Sequence, residues 1–340
     1  MITFSEYVSL GHPDKIADYI SSYLLDRYIE RDPNTRYAVE VQIKDYHVTL
    51  AGEVSSLCKF SDDEITKFVR EAVNEIGYTK EYADKWGHEN TIYGDALEVQ
   101  SFIGQQSFDI ARGLNGWGDQ GIFFGHCTYM PQTCGMPLDH TIAKKLCKEL
   151  FESGIGGLDI KTEVVLDNNK LKKIIVAIPL RMTSVDVVRK FIRKKIPGVY
   201  ELIVNGTGSY VPHSTIADCG TTGRKLAVDF YGGNCRIGGG SPWTKDGTKA
   251  DLTLNLAARK LAKNYSLENK CDTFVSLACC IGKQEVDVCV QDNAGNVIVE
   301  GRHKIDPYFL RKEYKLNTPI FASMCRWGLF GEFQLDKAWE

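Results

Sequence analysis

The cysteine spacing of a disulfide framework is missing from this sequence. It holds eleven cysteines, an odd number, and no C-x-x-C. The vicinal Cys279-Cys280 lies in an apolar run, so the pattern argues for buried free thiols in a reducing cytoplasm and against a disulfide framework. Seven histidines are dispersed, with no H-E-x-x-H and no close Cys/His spacing, which argues against a zinc site. A P-loop is absent. Gly116-Trp117-Gly118-Asp119-Gln120-Gly121 has G-x-G-x-x-G spacing but precedes the strand-like Ile122-Phe123-Phe124, whereas the dinucleotide fingerprint follows a strand and opens a helix. No run of eighteen apolar residues exists, and Met1–Glu6 has neither a basic flank nor an apolar stretch. Neither a membrane span nor a signal peptide is expected, and the protein is placed in the cytoplasm. A net charge of −3 gives no long-range attraction to nucleic acid or anionic lipid.

What is present is a chain of 340 residues, long enough for two or three domains. Ile16, Ile20, Leu24 and Tyr28 share a helix face over 16–31, stopped by Asp32-Pro33-Asn34. Strands near 39–43 and 47–54 follow. Ser61-Asp62-Asp63-Glu64 then reads as a capping box opening a helix towards Gly77. The grammar returns with strands 163–167 and 172–178 around Asp167-Asn168-Asn169-Lys170 and a helix over 185–194. It returns again with strands 272–280 and 284–290, a third after Asn293-Ala294-Gly295-Asn296, and a short helix over 306–312. Antiparallel hairpins covered by helices predict an α+β fold of three similar layers. Lys225–Tyr231 alternates as a strand that would put Lys225 and Asp229 on one face. Thr248-Lys249-Ala250-Asp251 reads as a second capping box, with Lys249 and Asp251 in the first turn of a helix.

The chemistry concentrates in two places. One is Gly232–Gly240, whose glycines suit close backbone approach to a bulky polar ligand. Around it Arg224, Lys225, Lys245 and Lys249 alternate with Asp218, Asp229, Asp246 and Asp251. Cations beside carboxylates suit a polyphosphate chelated by a divalent metal, since lysine neutralises phosphate oxygens and carboxylates hold hard cations. The other is Gly11-His12-Pro13-Asp14-Lys15, where the proline starts a helix and three polar groups gather at its positive end. They could supply a proton donor, a metal ligand and a phosphate clamp. The bland alternative is a Pro-initiated, charge-capped helix with a surface histidine. Asp119, held between glycines, is placed to meet an amine or cation; Lys161 beside Asp159 is a weaker signal.

Val8–Asp18, Gly118-Asp119-Gln120-Gly121, Asp218-Cys219-Gly220-Thr221-Thr222-Gly223-Arg224-Lys225, Val228–Gly233, Gly238-Gly239-Gly240 and Lys245-Asp246 occur in this order, with Lys249 and Asp251 beyond. With them the sequence resembles the methionine adenosyltransferase (S-adenosylmethionine synthetase) family over almost its whole length. The resemblance implies three similar domains of mixed, mainly antiparallel sheet covered by helices in a pseudo-threefold arrangement. It implies interleaved boundaries: 1–10 with 130–212, 11–111 with 213–253, and 112–129 with 254–340. The implied reaction joins ATP to L-methionine by attack of sulfur on ribose C5′, then hydrolyses the triphosphate to pyrophosphate and phosphate. His12, Lys161, Arg224, Lys225, Lys245 and Lys249 would carry catalysis. ATP would meet His12, Lys15, Asp159, Lys161, Tyr210, Asp218, Arg224, Lys225 and Lys245. Methionine would meet Glu53, Gln106, Asp119, Asp218 and Lys249. Asp14 and Asp251 would hold Mg²⁺, two ions per site, and Glu40 would hold K⁺. The implied assembly is a homodimer with intersubunit sites, or a homotetramer of two such dimers, with no nucleic-acid or membrane partner.

Three departures accompany the resemblance. Only Ala111–Asn115 separate Gln106–Ile110 from Gly116, so the segment that gates the site in the family is short. Asn205-Gly206-Thr207-Gly208-Ser209-Tyr210 replaces the usual Asn-Pro-Thr-Gly-Arg-Phe, so an arginine is lost. Gly247 stands where proline is usual, which should loosen that turn. Two competing readings keep the scaffold: a tripolyphosphatase that has lost adenosyl transfer, and a non-catalytic partner subunit. The methionine-site residues argue against the first, and the full set of cations and carboxylates against the second.

Overall fold

A computed structural model gives the fold and describes residues 1–105, 116–331 and 338–340. Three sheets of four strands carry the chain. The first places β2 (Arg36–Lys44) and β3 (His47–Ser55) between β4 (Glu98–Gln105) and the short β9 (Gly220–Thr221), in the order β4-β3-β2-β9. The second runs β1-β6-β7-β8, with β1 at Ile2–Val8, β6 at Lys161–Asp167, β7 at Lys170–Ala177 and β8 at Glu201–Val204. The third runs β12-β11-β10-β5, with β5 at Gly121–Cys127, β10 at Thr273–Cys279, β11 at Glu285–Asp292 and β12 at Val297–Lys304.

One unit recurs in all three. A long helix leads into an antiparallel hairpin, and the first hairpin strand pairs on its other side with a strand from elsewhere in the chain. The helices are α1 (Pro13–Arg31), α4 (Leu138–Ser153) and α7 (Ala250–Asn269), and the outside strands are β9, β1 and β5. In the first two sheets a helical crossover then returns the chain to a parallel fourth strand, through α2 (Asp62–Ile76) and α3 (Lys80–Trp86) or through α5 (Val185–Lys195). The third sheet adds β12 antiparallel through a tight turn instead. Two mixed, mainly antiparallel sheets and one antiparallel sheet, each flanked by helices, are therefore the architecture. The pairings interleave the sheets along the sequence; the anticipated cut at 253/254 lies inside α7.

Local signals explain the elements. Ser61 and Glu64 exchange both capping-box bonds at the start of α2, and Gly77 ends it at φ 119°. Asn168 and Asn169 take φ of 50° and 61°, the left-handed pair that a two-residue hairpin needs between β6 and β7. Helix α1 shows little amphipathic pattern because it is buried nearly all round, against β2, β9, α2 and α9 (Phe321–Cys325), the helix that follows α8 (Pro307–Glu313). Its Asp26 caps α9 through the N–H groups of Phe321 and Ala322. A large core joins the first and third sheets, and a second lies under the β1-β6-β7-β8 sheet. All eleven cysteines are free; Cys127, Cys147, Cys279 and Cys325 are buried, and Cys280 is exposed. No helix among the described residues is long and apolar enough to cross a membrane.

Candidate active site

The entrance to α1 is built by close approach. Any Cβ at Gly11 would lie 2.3 Å from the carbonyl oxygen of Leu158, so only glycine lets this loop reach the strand leading into β6. Ser9 extends the ladder by donating its N–H to Ile160 O at 2.9 Å, and Tyr78 Oη donates to Gly11 O at 2.7 Å. His12 is the N-cap: its Nδ1 accepts the Asp14 N–H at 3.1 Å, and Pro13 occupies the first helical position. With Nδ1 accepting, the neutral ring carries its proton on Nε2. Burial, then the charges of Lys161 and Lys225, push the His12 pKa down to about 2. The imidazole is a neutral donor at every physiological pH.

Three distant segments converge on this helix end. Gly220 packs against it so tightly that a Cβ would lie 2.1 Å from Pro13 O. That contact delivers Thr221, whose N–H reaches Asp14 Oδ1 at 3.0 Å, and Lys225, whose ammonium lies 2.7 Å from Asp14 Oδ2. Arg224 stands 3.9 Å from Asp14 Oδ1 and is largely exposed. Asp159 precedes Lys161 at the start of β6; its Oδ2 accepts the Ser214 N–H at 3.1 Å, while Oδ1 is buried without a partner among the described residues. Burial raises the Asp159 pKa to about 6 against the pull of Lys161. Tyr210 is half-buried, its phenol pushed up by burial and by Asp159. Asp218 is exposed, with Oδ1 on the Cys219 N–H at 2.8 Å.

A second cluster forms around Asp251. Lys245 and Asp251 pair directly, both about three-quarters buried. Lys245 also bridges Ala38 of β2, which faces Glu53 of β3. Glu40, two residues along β2, accepts the hydroxyl of Thr222, next to the Thr221 that reaches Asp14. Asp119 is exposed with its backbone oxygen 3.4 Å from Cys279 Sγ, and Cys279 feels the charges of both Asp119 and Asp251. Lys249 is the N-cap of α7, and Asp251 lies in its first turn, where the helix dipole favours an anion.

Several expectations are corrected. Lys15 does not face the site: its three donors meet Asp229 at 2.7 and 2.9 Å and Asp18 at 3.1 Å, and it is buried. The 225–231 strand is instead the short helix α6 (Leu226–Asp229), turned inward by Val228 and Asp229, so Lys225 and Asp229 diverge to Asp14 and Lys15. Thr248 is not an N-cap, because Asp246 takes its N–H at 2.8 Å and Asp251 turns to Lys245. Asp246 is structural, holding the Tyr37 N–H at 2.8 Å. Gly232 packs on Ser5 and His140; of the glycine run, Gly240 packs against the carboxylate of Asp251. Gly247 does not mark a loose turn: a Cβ there would lie 2.3 Å from Leu316 Cβ. Gln106 and the shortened 106–115 segment lie outside the described residues.

Asp18 and Trp243 take part in the site's support without having been singled out, and Asp229, read as a partner of Lys225, supports it through Lys15 instead. Asp18 Oδ1 accepts the Gly223 N–H at 2.9 Å, and Trp243 Nε1 donates to Asp229 Oδ2 at 2.8 Å. The i,i+3 spacing of Lys15 and Asp18 was a visible signal for one link. Nothing local connects either residue to positions more than two hundred residues away.

The chain matches the N-terminal domain of S-adenosylmethionine synthetase over residues 1–107 and the C-terminal domain over residues 213–340. It is 33% identical to S-adenosylmethionine synthase 2 of Rhodospirillum rubrum, covering 96% of this chain and 91% of that one. It is 34% identical to the synthase of Clostridium tetani over 99% and 95%. An S-adenosylmethionine synthetase of Campylobacter jejuni, described as unusual, superposes with a TM-score of 0.89 at 30% identity, over 99% of this chain and 96% of that one.

Proposed function

The chain belongs to the S-adenosylmethionine synthetase family, and we propose that it condenses ATP with L-methionine to S-adenosylmethionine, then cleaves the released triphosphate to pyrophosphate and phosphate. The observation that supports the chemistry best is His12, held neutral beside two lysines with its free Nε2–H at a helix entrance. The thioether sulfur is already a nucleophile and gives up no proton, so catalysis falls on alignment and on the leaving triphosphate. The Nε2–H of His12 donates towards the departing O5′ side. Lys161, Arg224, Lys225 and Lys245 neutralise phosphate oxygens, and the buried Oδ1 of Asp159 is an acceptor for an adenine amine. Tyr210 offers a ring for the base. Glu53, Gln106, Asp119, Asp218 and Lys249 hold methionine, with Asp119 facing the charge that grows on sulfur.

Asp14 and Asp251 suit Mg²⁺. They are hard oxygen donors, and no group of three or more His, Cys, Asp or Glu side chains gathers among the described residues. That donor set matches an ion held by one or two carboxylates and completed by phosphate oxygens, two ions per site. Bound there, magnesium supplies positive charge against the departing triphosphate. Glu40 would take K⁺. The two clusters, around Asp14 and around Asp251, fit a homodimer in which each site draws one cluster from each subunit, or a homotetramer of such dimers. A cytoplasmic setting suits the free thiols.

The test is purified protein with ATP, methionine and Mg²⁺, following S-adenosylmethionine, pyrophosphate and phosphate together. All three should appear. Phosphate without the sulfonium, with added tripolyphosphate the better substrate, would establish the tripolyphosphatase instead.

A further inference from the structure

The geometry points to Lys15 as a positioning residue, whose ammonium ties together three segments that carry the site instead of touching phosphate. It rests on the synthetase reading above. Lys15 lies one residue beyond Asp14, yet its ammonium turns inward between two carboxylates, Asp229 and Asp18. Asp18 reaches on to the Gly223 N–H at 2.9 Å, immediately before Arg224 and Lys225. Asp229 reaches on to Trp243 Nε1 at 2.8 Å, two residues before Lys245. Lys15 also lies 4.8 Å from the centre of the Trp243 ring. A single buried cation thus joins the start of α1, the Gly223–Lys225 turn and the turn that delivers Lys245.

The chemistry explains why the centre must be a lysine. Asp18 and Asp229 are both buried, and two carboxylates facing each other out of water are tolerable only with a cation between them. An ammonium has three donors at tetrahedral angles, and all three are engaged here. None remains for a phosphate oxygen unless the network breaks. The neighbouring cation Lys225 has no such commitment beyond Asp14 and is partly exposed.

The experiment compares wild type, Lys15→Met, Asp229→Asn, Trp243→Phe and Lys15→Met/Asp229→Asn in the full chain. It measures kcat and KM for ATP and methionine, tripolyphosphate binding by calorimetry, and thermal unfolding. Trp243→Phe keeps an aromatic ring and deletes one N–H, so it is the variant that folds most readily. Expected are a fall in kcat of roughly tenfold for Trp243→Phe and for Asp229→Asn, with KM for ATP changed less than about twofold. The double variant should be no worse than Lys15→Met alone, since both changes break one network. Wild-type kcat in Trp243→Phe and Asp229→Asn would overturn the proposal. So would a loss of tripolyphosphate affinity of tenfold or more confined to Lys15→Met, the signature of a direct phosphate ligand. A wild-type protein that forms no S-adenosylmethionine would instead overturn the reading on which the proposal rests.

Discussion

Lys225 places its ammonium 2.7 Å from Oδ2 of Asp14, a residue 211 positions earlier. The carboxylate is buried and the lysine side chain is 19% exposed, so this is a largely desolvated pair held in register by the Thr221 N–H on the other oxygen. The proposed phosphate clamp and the proposed metal carboxylate therefore hold each other, and Lys245 and Asp251 repeat the pairing in the second cluster. Each lysine is kept in place by the carboxylate beside which a metal-bound phosphate would arrive.

The pairing gives a stability prediction. Lys225→Met leaves the buried Asp14 carboxyl short of a partner, which should cost roughly 1–3 kcal/mol, less than a fully buried pair because Lys225 is partly exposed. Asp14→Asn/Lys225→Met removes both charges and should recover part of that loss. Urea unfolding of the single and double variants measures the coupling, and additive losses would show that the pair contributes nothing together. All of these variants should lose synthesis.

His12 combines a cap with a donor. Asparagine can accept the Asp14 N–H and still present an N–H, whereas alanine can do neither. His12→Ala should lose about 1 kcal/mol of stability and on the order of 10²-fold in kcat. His12→Asn should keep most of the stability and lose less rate. Because the ring stays neutral down to a pKa of about 2, the rate profile between pH 5.5 and 8 should contain no limb that disappears in His12→Asn.

The hairpins were legible because turn chemistry is local: Asn168-Asn169 and Asn293–Asn296 announce themselves whatever surrounds them. The start of α1 was legible for the same reason, in Pro13 and the polar residues around it. Alternation misled at 225–231, where tertiary packing turned Val228 and Asp229 inward on a helical turn. The second capping box failed because Asp246, buried beneath the turn, captured the Thr248 N–H first. Lys15 was misassigned because a charge beside His12 and Asp14 reads as part of the site. Its direction is decided by Asp229, which only the folded chain brings near.

Asp159 should make stability depend on pH in an unusual direction. Its folded pKa of about 6 lies above the ordinary carboxylate value, mainly through burial, so the native protein binds this proton more tightly than the unfolded chain. That contribution is present below the unfolded pKa and is lost as pH rises through about 6. Asp159→Asn removes the titration. Relative to wild type, the variant should gain about 1–2 kcal/mol between pH 4 and pH 7.5 in unfolding experiments without substrate. A difference that stays constant across that range would refute the assignment.

Adjacent glycines provide the sharpest contrast. At Gly239 an added Cβ would meet nothing within 4 Å, whereas at Gly240 it would lie 2.0 Å from Oδ1 of Asp251. Asp251 is the flexible end of that contact and also the partner of Lys245, so the carboxylate can move only by giving up the pair. Gly239→Ala should leave both stability and kcat within about twofold of wild type. Gly240→Ala should lower kcat by roughly tenfold or more and raise the Mg²⁺ concentration needed for half-maximal activity, with a smaller change in unfolding. Magnesium titration of the two variants side by side makes the distinction. Equal behaviour would mean that the carboxylate of Asp251 is not what the glycine run exists to accommodate.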